Sequence, residues 1–131
     1  MTPLPILDEW FGALDADGLP SAAKSARWWT KSPEFDDYLR VHYGPFVKQA
    51  QAGGLREWDK SPEGTLARII LLDQFARNIF RNTQTMYAGD DFAVEATLAL
   101  LDDGLLRLPA VCQYFALMPL MHAEELALQE R

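Results

Sequence analysis

Five polar residues in one short stretch are the first to suggest chemistry: Asp73, Gln74, Arg77, Asn78 and Arg81. At about 100° per residue they share an arc of roughly 140° on a helix, opposite Leu72, Phe75, Ala76, Ile79 and Phe80. Asp73 and Arg77 stand four apart with the acid first, the favourable order for a helical ion pair. Exposed, such a pair contributes only about 0.3–0.5 kcal/mol. Enclosed by other helices, it needs satisfying hydrogen bonds and can hold a guanidinium ready for a carboxylate or phosphate. The plainer alternative is a helix that surfaces at its C-terminal end, where Arg77 and Arg81 would meet the negative end of the dipole.

His122 is the second candidate. With Glu124 or Glu125 as its orienting carboxylate it reads as a general base, and Arg77 would then stabilise developing negative charge. Against this stands simple surface placement, on a stripe with Met118, Glu125 and Gln129. His42 sits on an apolar stripe and reads as a satisfied core histidine. A zinc site wants three or four ligands, which these residues do not supply, so neither metal nor cofactor is expected. There is no Gly-rich phosphate loop and no nucleophile elbow, and Cys112 lies among apolar residues without a nearby base. Trp28 and Trp29 cannot share one face of a regular element. One is expected to plug the core from a loop, and the other to line a ligand or partner surface.

The element that must position these groups runs from Thr65 to Arg81. Its first half is apolar in nearly every direction, as in a helix enclosed on all sides. Around it the spacing predicts a helix over Leu4–Leu14, a loop over 18–31, and a helix from Pro33 to about Gln51 that ends at Gly53-Gly54. Pro45 predicts a kink near Gly44. Burial is expected for Phe35, Tyr38, Leu39, His42, Phe46 and Val47. Lys-Ser-Pro-Glu occurs at Lys31–Glu34 and again at Lys60–Glu63, each a helix start with Ser as cap, Pro first and Glu at the positive dipole end. After a loop over Asn82–Asp90, a helix carries Phe92, Ala93, Ala96, Leu98, Ala99, Leu100 and Leu101 inward and closes at Asp102-Asp103-Gly104. A fifth helix starts near Pro109, and Pro119 ends or kinks it before a sixth segment. No stretch alternates with period two. The expectation is an all-α single domain over 1–131, an array of about five to six antiparallel helices.

A chain of 131 residues is long enough for one core, and its apolar fraction of 49% excludes a disordered protein. A formal charge of −7 argues against nucleic acid and anionic membrane as partners. The single cysteine and the absence of a leader or a long apolar run point to the cytoplasm.

Four stretches carry a resemblance: ILDEWFG at Ile6–Gly12, RWWTKSPEFD at Arg27–Asp36, LLDQFARNIFRNT at Leu71–Thr83, and LMPLMHAEEL at Leu117–Leu126. In that order they resemble a bacterial family known as domain of unknown function 924, whose fold is similar to the tetratricopeptide-repeat-like helical superfamily and whose activity is not established. The resemblance implies a role for Trp28, Trp29, Asp73, Gln74, Arg77, Asn78, His122 and Glu124. Ala76 replaces a Pro usual in the family, which predicts a more regular central helix, and Ala123 and Glu125 replace a Ser and an Asp. Relatives usually continue with further helical sequence. If those helices cover a face, that face is bare here and a homodimer would cover it. The leading expectation is a non-catalytic helical module binding a small polar or anionic ligand, or a peptide or protein partner, through Trp28, Trp29, Asp73, Gln74, Arg77, Asn78 and Arg81. The alternatives are a small hydrolase using His122 with Glu124 or Glu125 and Arg77, and a structural subunit of a homo-oligomer.

Overall fold

The repeated Lys-Ser-Pro-Glu starts two helices. In the computed structural model, which describes residues 2–129 and side chains through Glu124, Ser32 Oγ accepts from the Phe35 N–H and Ser61 Oγ from the Gly64 N–H. Pro33 and Pro62 open the helices that follow, where a missing N–H removes no bond. In chain order the helices are α1 (Leu4–Trp10), α2 (Ala22–Trp29), α3 (Pro33–Gln51), α4 (62–79), α5 (Asp90–Asp102) and α6 (Ala110–Gln129). Tight turns at Arg56–Lys60, Gln84–Tyr87 and Leu105–Arg107 connect them. No strand occurs among the described residues, and the fold is all-α. None of the described helices is long and apolar enough to cross a membrane.

The axis is α4. Leu66, Ala67, Ile69, Ile70, Leu71, Leu72, Phe75 and Ala76 are all buried, because α1, α3, α5 and α6 each pack against some part of it. Each large apolar side chain enclosed in this way stabilises the fold by about 1.5–3 kcal/mol. The enclosure is tight at the start of the helix. A Cβ at Gly64 would run into the Trp58 carbonyl oxygen, so only glycine fits. The helix is not regular throughout. Residues Ile70–Phe75 form a π turn, an expansion that often marks functional positions. The irregular turn lies directly before Ala76. Asp73 sits within that turn.

Several sequence expectations are corrected. Helix α1 stops at Trp10 rather than Leu14, since Gly12 takes φ +66°, a conformation from which a helix cannot continue. The predicted loop over 18–31 contains α2. Its start is legible in hindsight, as Ser21 Oγ accepts from the Lys24 N–H, but its one turn of apolar residues is too short to show periodicity. Helix α3 has the expected bounds and continues through Pro45. His42 is exposed, its ring 4.2 Å from Tyr38, so it is no core histidine, and Tyr38 is exposed with it. On α5, Leu98, Ala99 and Leu101 face outward rather than inward. Seven apolar residues cannot all face the core when a helix offers it one side. Helix α6 runs unbroken through Pro119, so the fifth and sixth segments are one element.

Candidate functional site

The polar arc of α4 does not reach solvent as a plain surface. Asp73 is 1% exposed, and its carboxylate meets three donors. Oδ1 accepts from Arg77 Nη1 at 3.0 Å and lies 2.8 Å from His122 Nδ1 on α6, and Oδ2 accepts from Gln74 Nε2 at 2.8 Å. With Asp73 ionised, the hydrogen on the imidazole belongs on Nδ1. Arg77 extends further, with Nη1 and Nη2 donating to the two oxygens of Asp90 at 3.1 and 3.2 Å, at the start of α5. Asp36 on α3 accepts from Asn78 Nδ2 at 3.0 Å and from Arg81 Nε at 2.9 Å. One face of α4 is thus tied to α3, α5 and α6 through charge-assisted hydrogen bonds. Burying a lone carboxylate would be costly, and the three donors around Asp73 offset that.

The carboxylate beside His122 is Asp73, and in this the expected pairing is corrected. Glu124 is exposed, and a separation of two residues turns it about 200° around the helix from His122. The side chain of Glu125 lies outside the described residues. Trp28 and Trp29 are placed elsewhere. Trp28 donates from Nε1 to the Trp10 carbonyl at 3.0 Å and stacks on Trp10, while both tryptophans contact Phe115. Trp29 remains 66% exposed. Both stand at the end of α2, not on a loop. Cys112 is buried, and burial pushes its thiol up to about 11, which keeps it protonated.

Beside the charged network lies a cavity of about 560 Å³ lined by Arg77, Arg81, Asn82, Thr83, Gln84, Met86 and Tyr87. The Arg77 guanidinium lies 5.7 Å from the centre of the Tyr87 ring. Both guanidiniums in its wall are held by carboxylates, Arg77 by Asp73 and Asp90 and Arg81 by Asp36. Arg81 Nη1 has no hydrogen-bond partner among the described residues. No group of three or more His, Cys, Asp and Glu side chains suited to a metal ion occurs among them.

Residues 6–131 match the sequence model of a family described as "Bacterial protein of unknown function (DUF924)". The chain belongs to this family. A solved structure, that of the protein of unknown function ATU0120 from Agrobacterium tumefaciens, superposes with a TM-score of 0.80 at 29% identity. That match covers 98% of this chain and 68% of the other. No curated protein matches.

The family member also holds a second buried carboxylate that sequence reasoning missed. Glu9 on α1 accepts from Tyr43 Oη at 3.0 Å and from Arg27 Nη2 at 3.0 Å, and Lys24 Nζ lies 3.7 Å away. The same Arg27 nitrogen reaches the Glu9 backbone carbonyl, and its guanidinium covers the Phe35 ring at 4.1 Å. Burial pushes the Glu9 carboxyl up, but hydrogen bonds from Tyr38, Arg27 and Tyr43 and the Arg27 charge outweigh it and hold it below the usual range. Burial and the neighbouring Glu9 in turn push the Tyr43 hydroxyl well above the ordinary tyrosine value. The only local signal was Glu9 within an otherwise apolar helix face.

Proposed function

We propose that this family member is a cytoplasmic helical module that binds a small carboxylate ligand in the cavity at the end of α4. The observation that carries the reading is the pair of guanidiniums, Arg77 and Arg81, in one cavity wall, with Arg81 bonded to Asp36 through Nε and Nη2. Carboxylates fix both side chains, so little side-chain entropy remains to be lost on binding. Their number also sets the ligand class. Asp36, Asp73 and Asp90 outnumber the two guanidiniums, so an anion there is held by hydrogen bonds against the local charge, which opposes a dianion about twice as strongly as a monoanion. A monoanionic carboxylate, held by hydrogen bonds, suits it better than phosphate. Met86 and Tyr87 supply apolar wall for the rest of such a molecule.

A thermal-shift panel of monocarboxylates, inorganic phosphate and sulfate tests this. A carboxylate at about a hundred times its dissociation constant adds about 2.7 kcal/mol of stability. The shift is expected to vanish in Arg81→Gln. A shift that survives in Arg81→Gln, or none with any carboxylate, removes the reading.

A different face supports a second reading, as a surface for a protein partner or a second copy. Leu98, Leu101 and Leu106 are 53%, 48% and 87% exposed, more apolar surface in one region than isolated leucines explain. Sedimentation that shows a monomer at high concentration would sink the second-copy version.

A further inference from the structure

Charge is unevenly divided along this chain. Residues 82–131 carry eight carboxylates against two arginines, so six of the seven net negative charges fall there. The same stretch presents the exposed leucines of α5 and of the turn after it. We infer that the outer face of the α5–α6 pair docks an amphipathic helix of another protein, one with Lys or Arg flanking its apolar stripe. This gives the partner of the second reading above its chemistry and rests on that reading.

Packing defines the face. Thr97 Oγ1 donates to the Ala116 carbonyl at 2.7 Å, which marks the seam along which α5 and α6 meet. At about 100° per residue, Leu101 lies about 40° and Leu98 about 100° round α5 from Thr97, away from the buried side. On α6, folded back by the turn at Leu105–Arg107, Leu117 lies about 100° and Met121 about 140° round from Ala116 in the matching sense. Leu98, Leu101 and Met121 are exposed and Leu117 is half-buried. Leu106 shares a groove with Leu101 and extends the face past the end of α5. Between Ala110 and Met121 no side chain is charged, and Gln113 is the one amide. A helix so apolar on every side is built for enclosure, yet Tyr114 and Met121 are exposed. Two packed helices leave a groove between them, and a third helix fits such a groove with its own side-chain ridges.

The borders of this face choose the occupant. Asp91, Glu95 and Asp102 lie within about 60° of Leu98 around α5, and all three are exposed. Of these, Glu95 alone forms an ion pair among the described residues, with Arg56. Arg107 is already held by Asp103. On α6, Glu124 adds an exposed carboxylate one turn beyond Met121. A second copy would bring two sets of these carboxylates together, and like charges across an interface oppose association. An apolar stripe edged with Lys or Arg meets the leucines and the carboxylates at once.

The test uses two synthetic peptides of about 20 residues, long enough to form a helix, with the same leucine stripe. One is flanked by Lys and the other by Glu, and calorimetric titration reads their binding. The Lys peptide is expected to bind the wild type at least about tenfold tighter, with an affinity that falls as salt rises. Leu98→Ser with Leu101→Ser should weaken it at least about tenfold, and both positions are exposed, so the fold stays intact. Asp91→Asn with Asp102→Asn should weaken it and flatten the salt dependence. Asp17→Asn with Glu57→Gln removes the same charge from exposed positions elsewhere and should leave binding unchanged. Equal affinity of the wild type for the two peptides overturns the inference and leaves the docking face standing. A loss in the Asp17 and Glu57 control as large as in the Asp91 and Asp102 pair also overturns it, since attraction to net charge then explains the binding. A wild-type dimer in sedimentation that Leu101→Ser dissolves overturns it and leaves the second-copy version of the reading. A monomer that binds neither peptide removes the inference and the reading together.

Discussion

Two buried carboxylates organise this molecule, and they recruit their partners differently. Asp73 takes two of its three donors from its own helix, Gln74 one residue on and Arg77 four residues on, and only His122 comes from afar. Glu9 takes none locally. Lys24 and Arg27 arrive on α2 and Tyr43 on α3. The local donors of Asp73 are dictated by helical geometry once the helix forms, so they pre-exist any tertiary contact. Those of Glu9 exist only after α1, α2 and α3 have docked. One carboxylate is therefore a prepared site on the central axis, and the other a clasp that closes the N-terminal helices.

The comparison breaks most sharply on deletion. Asp73→Ala leaves His122, 21% exposed, without its acceptor and Arg77, 17% exposed, with the Asp90 carboxylate alone, both beside a buried void. Loss of about 3–5 kcal/mol is expected in urea unfolding. Glu9→Ala is expected to lose about 1–3 kcal/mol, because Arg27 and Lys24 are about 30% exposed and can turn to water. Equal losses would show that the two carboxylates play the same role.

A pH series sharpens the contrast at Glu9. Its folded carboxyl titrates below the ordinary value of 4.5, so the unfolded chain binds the proton first as pH falls. The stability it contributes is complete above the unfolded value and is lost as pH drops through the folded one. The difference in urea midpoint between wild type and Glu9→Gln should therefore shrink progressively below about pH 4.5. A gap that stays constant to acid pH would mean that Glu9 is held by shape rather than charge.

The smallest effect is expected at Arg81→Gln. Its pair with Asp36 is 35% exposed on the arginine side, and Asn78 remains to satisfy the carboxylate. A loss of less than about 1 kcal/mol is expected. A larger loss would make Arg81 a structural brace rather than a ligand group.

How much of this was legible follows the same division. The cap chemistry of Ser32 and Ser61, the enclosed first half of α4 and the bounds of α3 and α5 depend on neighbours within a few residues. The Asp73–Arg77 pair belongs with them. The π turn and the short α2 were not legible, since neither has a composition or period that distinguishes it over so few residues. Nor was the outward turn of Leu98 and Leu101, because which face of an apolar helix meets the core depends on where the core lies.

By itself, then, the sequence determined that this chain is all-α, where its capped helices begin, and which face of the central helix is polar. These are matters of local hydrogen bonding and periodicity. Tertiary structure alone decided that Asp73, rather than Glu124, stands behind His122, that Asp36 and Asp90 hold the two arginines of the cavity, and that Glu9 is buried at all. Partners separated by 13 to 49 residues meet only when helices dock. Docking depends on the shapes of whole faces, which no short stretch of sequence contains.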